Sequence, residues 1–273
     1  MMQGSDCDDD APLIEMRRAT VWRGRTCVFR DFDLAIPRHQ QVAVLGPNGS
    51  GKTTLLKVVN REIYPVASTP AAVRILGRDN WNVWELRSHI GIVSHDLQAH
   101  YRPTTTGLHV VLSGFQSSIG VHGALARRIT PRQIRRAHAL LEELGVADLA
   151  DTALGHMSTG QQRRCLLARA LVHDPHTLIF DEPTAGLDLA GSFDYLTRVR
   201  QLVAAGKTIV LVSHALNEIP PAVDRVILLR AGKIVADGAK DRVLNEMNLL
   251  ATFGVAMRIA RIDGYYLAYP PSA

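Results

Sequence analysis

Aromatic side chains are scarce, at 5% of a 273-residue chain. That argues against the ring platforms on which unpaired bases stack, and no nucleic-acid partner is expected. Cysteine is scarcer still: Cys7, Cys27 and Cys165 stand far apart and form no CxxC pair. Neither a zinc knuckle nor a disulfide framework is expected, and a reducing compartment fits. No run reaches the ~20 apolar residues that cross a bilayer, and the opening MMQGSDCDDDAP lacks the basic start and apolar stretch of a secretory signal. A soluble chain is expected, with any membrane contact made through a partner. Neither sign of charge dominates: 31 Lys and Arg against 26 Asp and Glu give +5 at pH 7. This mild balance suits an anionic ligand or surface without demanding one. The 47% hydrophobic fraction excludes whole-chain disorder, and the length suffices for a sizeable core.

Residues 1–12 are acidic and small and read as a loose tail. No solenoid-length repeat is present. β-Branched and aromatic residues at 20–22 and 27–32, around Gly24, predict a small antiparallel region. Short apolar runs at 41–45, 73–76, 90–94, 177–180, 208–212, 225–229 and 233–236 read as strands. Helical spacing appears at 53–60, 161–172 and 192–205, and through a helical stretch at about 96–165, where Pro131 occupies a first helical position. Strand and helix alternate, so an α/β fold with a mainly parallel sheet is expected. The segment 240–273 reads as an extension with one helix and an apolar, tyrosine-bearing end of unassigned role.

The run Gly46-Pro47-Asn48-Gly49-Ser50-Gly51-Lys52-Thr53, followed by Thr54, fits GxxxxGK[ST] between a strand and a helix. Glycines let backbone N–H groups turn inward onto phosphate oxygens. Lys52 can reach the β- and γ-phosphates, Thr53 can offer its hydroxyl to Mg²⁺, and the helix start adds its positive end. ATP and Mg²⁺ are the expected cofactors, on a P-loop NTPase core. Downstream, the strand 177–180 ends in Asp181-Glu182-Pro183. Asp181, at a strand's carboxyl end, can hold Mg²⁺. Glu182 can then take a proton from the attacking water or orient it.

Three further pieces complete an ordered set: His156-Met-Ser158-Thr159-Gly160-Gln161, Ala185-Gly-Leu-Asp188, and His214 behind the strand Leu211-Val-Ser213. With the phosphate loop and LIFDEP, the set over residues 13–239 resembles the ATP-binding cassette (ABC) ATPases. MSTGQ looks like their LSGGQ signature, with Thr159 at a position that is usually glycine. The resemblance implies two chains, or this one and a related cassette, facing each other head to tail around two ATP molecules. Ser158, Thr159, Gly160 and Gln161 would meet the γ-phosphate held by the opposite subunit, and Asp188 would act across that interface. His214 would contact the γ-phosphate and position the water of Glu182. A stacking aromatic for adenine belongs ahead of the phosphate loop; Trp22 is the candidate, with Arg23 aligned almost as well. Where the family has a glutamine that contacts Mg²⁺ and water, this chain has His95, with Gln98 three residues on. Gln98 is favoured and His95 is the alternative.

The remaining histidine pairs, His173 with His176 and His95 with His100, lack further ligands and read as solvent-exposed. The basic pairs Arg127-Arg128, Arg135-Arg136 and Arg163-Arg164 read as solvated helix faces. The resemblance implies an ATP-hydrolysing subunit, peripheral on the cytoplasmic membrane face, that powers a transporter by ATP-driven dimer closure on separately encoded transmembrane subunits. A soluble, non-transport ABC ATPase acting on a protein assembly or a ribosome is the alternative. A small-molecule kinase would leave MSTGQ, AGLD and His214 without a task.

Overall fold

Alternating burial builds the first strand pair, and its interruptions bend it. In the strand Ile14–Arg23 (β1) the buried positions are Ile14, Met16, Ala19 and Val21; in Thr26–Ile36 (β2) they are Phe29, Phe32, Leu34 and Ile36. Both sets skip a beat, and the register shifts between Met16 and Ala19 and again between Ala19 and Val21, where Asp31 lies between the partners Phe32 and Phe29. Arg18 and Asp31 adopt φ 46° and 47° there, as residues inserted into a ladder do. The computed structural model describes residues 11–67, 70, 72–121 and 127–271. Most of the expected acidic tail, with Cys7, lies outside the described residues.

The chain divides into two compact units, 1–83 with 212–273, and 84–211. In the first unit, β1 lies between β2 and Val73–Ile75 (β4), all antiparallel. The wholly buried Val42–Leu45 (β3) runs parallel to Arg225–Arg230 (β8), which pairs antiparallel with Lys233–Ala239 (β9). Helix Lys52–Val59 (α1) follows β3. Beyond β9 the sequence suggested one helix and an unassigned apolar end. The structure places two short helices there, Lys240–Val243 (α8) and Glu246–Phe253 (α9), and an antiparallel hairpin. The hairpin strands are Arg258–Ile262 (β10) and Tyr265–Tyr269 (β11). Asp263 and Gly264 turn it with φ 50° and 81°, the left-handed pair that a two-residue hairpin loop requires. The Asp-Gly step between alternating apolar residues was the available sequence signal.

In the second unit, helix Val83–His89 (α2), which begins at the unit boundary, leads into Ile90–Ser94 (β5). Strand β5 runs parallel to Thr177–Asp181 (β6), from Ile90 opposite Thr177 to Ser94 opposite Asp181. Strand Thr208–Ser213 (β7) flanks β6 on its other side and carries the chain back into the first unit. Between β5 and β6 come helices His95–Ala99 (α3), Gly107–Gly114 (α4), Pro131–Glu143 (α5) and Thr159–Ala170 (α6). Pro131 does begin α5, behind a Thr130–Gln133 capping box. Helix Leu189–Ala204 (α7) starts three residues earlier than its apolar spacing suggested, because Asp188 caps it. Among the described residues, no helix is long and apolar enough to cross a membrane.

Cys165 faces inward from α6 and is fully buried. Burial disfavours the thiolate and pushes the thiol up to about 12. Iodoacetamide at pH 8 should therefore leave Cys165 unmodified in the native chain and label it once denaturant is added. Peptide mass spectrometry checks this, and native labelling of Cys165 at the rate of a free thiol would contradict it.

Candidate functional site

The first unit carries the phosphate loop. Strand β3 delivers Gly46, whose N–H donates to the Ser213 carbonyl at 3.3 Å. The chain then turns so that Ser50 N–H reaches the Pro47 carbonyl at 3.2 Å, while Gly232 N–H holds the Ser50 carbonyl at 2.8 Å. Gly51 takes φ 113°, and a Cβ there would stand 2.9 Å from the Phe29 ring. A side chain at this position meets both backbone strain and a ring that is itself buried. The turn brings the Lys52 side chain back over its own loop. Its ammonium donates to the Gly46 carbonyl at 2.7 Å and the Pro47 carbonyl at 3.0 Å.

This geometry suits a phosphate chain. Lys52 is buried, the crest Asn48–Gly49 is exposed, and Thr53 is half-buried in the first turn of α1, with Thr54 buried behind it. The start of α1 has no side-chain cap, so its first N–H groups are open to an anion. The Ser50 hydroxyl is buried with no hydrogen-bond partner, a polar orphan that a phosphate oxygen would satisfy. Trp22 lies at the outer end of β1 opposite Cys27 and is 46% exposed, so its ring is not spent on core packing. His214, just past β7 in the same unit, is exposed.

The second unit carries the acids and the signature stretch. Asp181 ends β6 beside Ser94 and is half-buried, as is Glu182. Glu182 takes φ 48°, and its carbonyl accepts from Ala185 N–H at 3.1 Å. A non-glycine residue in this region carries ~1–3 kcal/mol of strain, the sort found where side-chain aim matters more than backbone comfort. Ser158 caps α6: its hydroxyl accepts from Gln161 N–H at 3.3 Å and the Gln161 side chain accepts from Ser158 N–H at 2.8 Å. The signature is thus an ordinary capping box as well, with Ser158 exposed and Thr159 and Gly160 half-buried. A Cβ on Gly186 would meet the Thr159 methyl at 3.8 Å, so the signature lies against the turn that leads to Asp188. Asp188 accepts from Gly191 N–H at 2.7 Å.

One sequence expectation fails here. Arg163 was read as part of a solvated helix face, yet it is fully buried. Its Nη2 donates to the Ala185 carbonyl at 3.1 Å, tying α6 to the turn behind Glu182. The buried Tyr195 phenol nearby is pushed up by desolvation, against the pull of the Arg163 charge. The signal was available: Arg163 shares helical spacing with the buried Leu166, Leu167 and Ala170. Arg127, Arg128 and Arg135 are exposed, as are His95, His100, His173 and His176. No group of three or more His, Cys, Asp or Glu suited to a metal forms among the described residues.

The two residues that compete for the glutamine slot are separated by their surroundings. Ser94 caps α3, accepting from Leu97 N–H at 3.1 Å, and His95 at its start is exposed. Gln98 Nε2 donates to Gln162 Oε1 at 2.6 Å, and Gln162 in turn donates to the Leu154 and Met157 carbonyls. Gln98 Oε1 is buried without a partner. The Thr53 hydroxyl in the first unit, and the Asp181 carboxylate and Gln98 amide carbonyl in the second, are each of the oxygen donor type that Mg²⁺ takes.

Comparison with known proteins relates the whole chain to a family. The sequence profile described as ABC transporter matches residues 29–185. The chain is 34% identical to the cobalt import ATP-binding protein CbiO of Rhodobacter capsulatus, over 82% of this chain and 78% of that one. It is 33% identical to the manganese transport system ATP-binding protein MntB of Bacillus subtilis, over 88% and 92%. Among solved structures, cbiO1 of Clostridium perfringens, part of the transporter complex cbiONQ, superposes with TM-score 0.69 at 25% identity, covering 89% of this chain and 94% of that one.

Gly51→Ala is expected to destabilise the chain by about 1–3 kcal/mol and to weaken ATP binding, since the loop must shift away from Phe29. Denaturant melts and calorimetric titration with ATP check both; wild-type values in both would show that the loop tolerates a side chain at this turn.

Proposed function

The chain belongs to the ABC transporter family as an ATP-binding and ATP-hydrolysing subunit, and from that premise we propose that two copies close head to tail around two Mg-ATP molecules to drive an uptake system. The observation that carries the reading is the phosphate loop: a buried Lys52 ammonium on its own loop carbonyls, beside the unpartnered Ser50 hydroxyl. In this reading the N–H groups from Gly46 to Thr54 cradle the phosphates and Lys52 binds the β- and γ-oxygens. Thr53, Asp181 and Gln98 hold Mg²⁺, which neutralises charge on those oxygens. Glu182 accepts the proton of the attacking water, and His214 steadies the γ-phosphate. The Trp22 ring stacks on the adenine. Ser158–Gln161 of one copy meet the γ-phosphate of the other through the start of α6, and Asp188 acts across the same interface.

Uptake as the direction is supported by the relatives named for cobalt import and manganese transport. Cargo selection then belongs to separately encoded membrane subunits, which also hold this chain at the cytoplasmic membrane face. The soluble alternative gives a different result in one experiment. Tagged chain recovered from gently solubilised cells should bring down a stoichiometric multi-spanning membrane protein. Recovery of ribosomes or soluble assemblies instead would remove the transport role.

Glu182→Gln keeps the shape of the side chain and loses its basicity. It should bind Mg-ATP like the wild type, lose turnover by about 10²-fold or more, and accumulate as an ATP-bound dimer on size-exclusion chromatography. Undiminished turnover would sink the assignment of Glu182 as the base.

A further inference from the structure

His214 sits in a turn whose neighbouring residues are joined by hydrogen bonds. Ser213, the last residue of β7, is fully buried. Its backbone carbonyl accepts from Gly46 N–H, at the entry to the phosphate loop, at 3.3 Å. Its hydroxyl accepts from Ala215 N–H at 2.9 Å and donates to Glu218 Oε2. One residue therefore grips the phosphate loop with its backbone and the turn around His214 with its side chain. Glu218 is 3% exposed and closes a tight helical turn, 216–218, between the buried Leu216 and Ile219. A carboxylate at a chain turn normally stays in water, since burial is costly unless donors meet it. Here the Ser213 hydroxyl is such a donor.

The outer side of the same turn is walled by the C-terminal extension. His214, Leu216 and Asn217 share a cavity of about 290 Å³ with Phe253, Met257 and Leu267. Hairpin β10–β11 is fixed there by the Tyr266 hydroxyl, which donates to Asp241 at 2.6 Å, and by Arg261, which donates to the same carboxylate at 3.2 Å. The turn thus has an inner polar clamp and an outer wall, while the imidazole itself remains exposed.

We infer that Glu218, acting through the Ser213 hydroxyl, is a positioning residue for His214. It fixes the 213–218 turn against the phosphate loop so that the imidazole is presented in one orientation. The inference rests on the proposed role of His214 at the γ-phosphate. Glu218 touches no substrate, so its loss leaves the nucleotide contacts of the loop intact and loosens only the aim of the histidine. Misaim of a reacting group costs turnover and spares ground-state binding.

The test is steady-state ATP hydrolysis by the purified full chain, with kcat and KM separated and ATP affinity measured by calorimetry. Glu218→Ala should lower kcat by about 10- to 100-fold with KM for ATP and calorimetric affinity unchanged. Glu218→Gln retains an oxygen acceptor for the Ser213 hydroxyl and should recover most of the lost kcat. Ser213→Ala should lower kcat in the same way, and the double variant should fall short of the sum of the two single effects, because both remove the Ser213–Glu218 bond. Wild-type kcat in Glu218→Ala, or a Glu218→Gln variant as slow as the alanine, would overturn the inference. If Glu218→Ala does not fold, Ser213→Ala carries the test, and a wild-type kcat there overturns it equally. His214→Ala separates the two levels. Slow turnover in His214→Ala beside wild-type Glu218→Ala removes the positioning role alone. Full turnover in His214→Ala removes the histidine reading and the inference with it.

Discussion

A lysine that is 5% exposed has to have its ammonium met by oxygen, and the phosphate loop is shaped around that demand. Taking an ammonium out of water costs several kcal/mol. Hydrogen bonds to a charged group return about 1.5–3 kcal/mol each, so the Gly46 and Pro47 carbonyls offset much of that cost. Those carbonyls point inward only because the chain turns sharply at Ser50 and Gly51, and the turn is held from outside by Gly232 and Phe29. The bend is therefore held by the chain's own contacts. A phosphate offers full negative charge where the loop offers dipoles, so under the proposed function the exchange at Lys52 favours the nucleotide without a large rearrangement.

In the second unit the equivalent constraint is parallel pairing. The register that sets Ser94 beside Asp181 brings the carboxyl ends of β5 and β6 to one edge of the sheet. Two chemically different segments leave from that edge: α3 with Gln98, and the turn from Glu182 to Asp188. Parallel α/β sheets collect their ligands at such edges. Arg163 then joins this turn to the signature helix by its bond to Ala185. Glu182, the capping box of Ser158 and the cap at Asp188 are thereby parts of one packed assembly in this unit, though they are widely spaced along the chain.

What could be read from the sequence was local. The phosphate loop, the apolar strand ahead of Asp181, Pro131 at the start of α5 and the Ser158–Gln161 box each declare themselves within a few residues, because turn chemistry and capping are short-range. Relations between distant residues were not legible. The burial of Arg163 depends on Ala185, the left-handed φ of Glu182 on the turn it must enter, and the clamp of Ser213 on Glu218 and Gly46. Hairpin β10–β11 is a different case. Asp263-Gly264 is a strong local turn signal between alternating apolar residues.

The displaced glutamine has a geometric explanation. Three residues along a helix advance it by about 4.5 Å and return nearly to the same face. Gln98 on α3 can therefore serve the side that a glutamine at position 95 would have served, one turn further on, provided that α3 is fixed. It is fixed at both ends of this relation: Ser94 caps its start, and the Gln98 amide is bound to Gln162 of the signature helix. That bond takes one N–H of the amide, and Oε1 is buried and unpartnered. An acceptor held in this way can hold Mg²⁺ or a water only in the orientation that α6 dictates. Under the proposed function, the task of a glutamine at 95 falls to Gln98, a side chain bonded to Gln162 of α6.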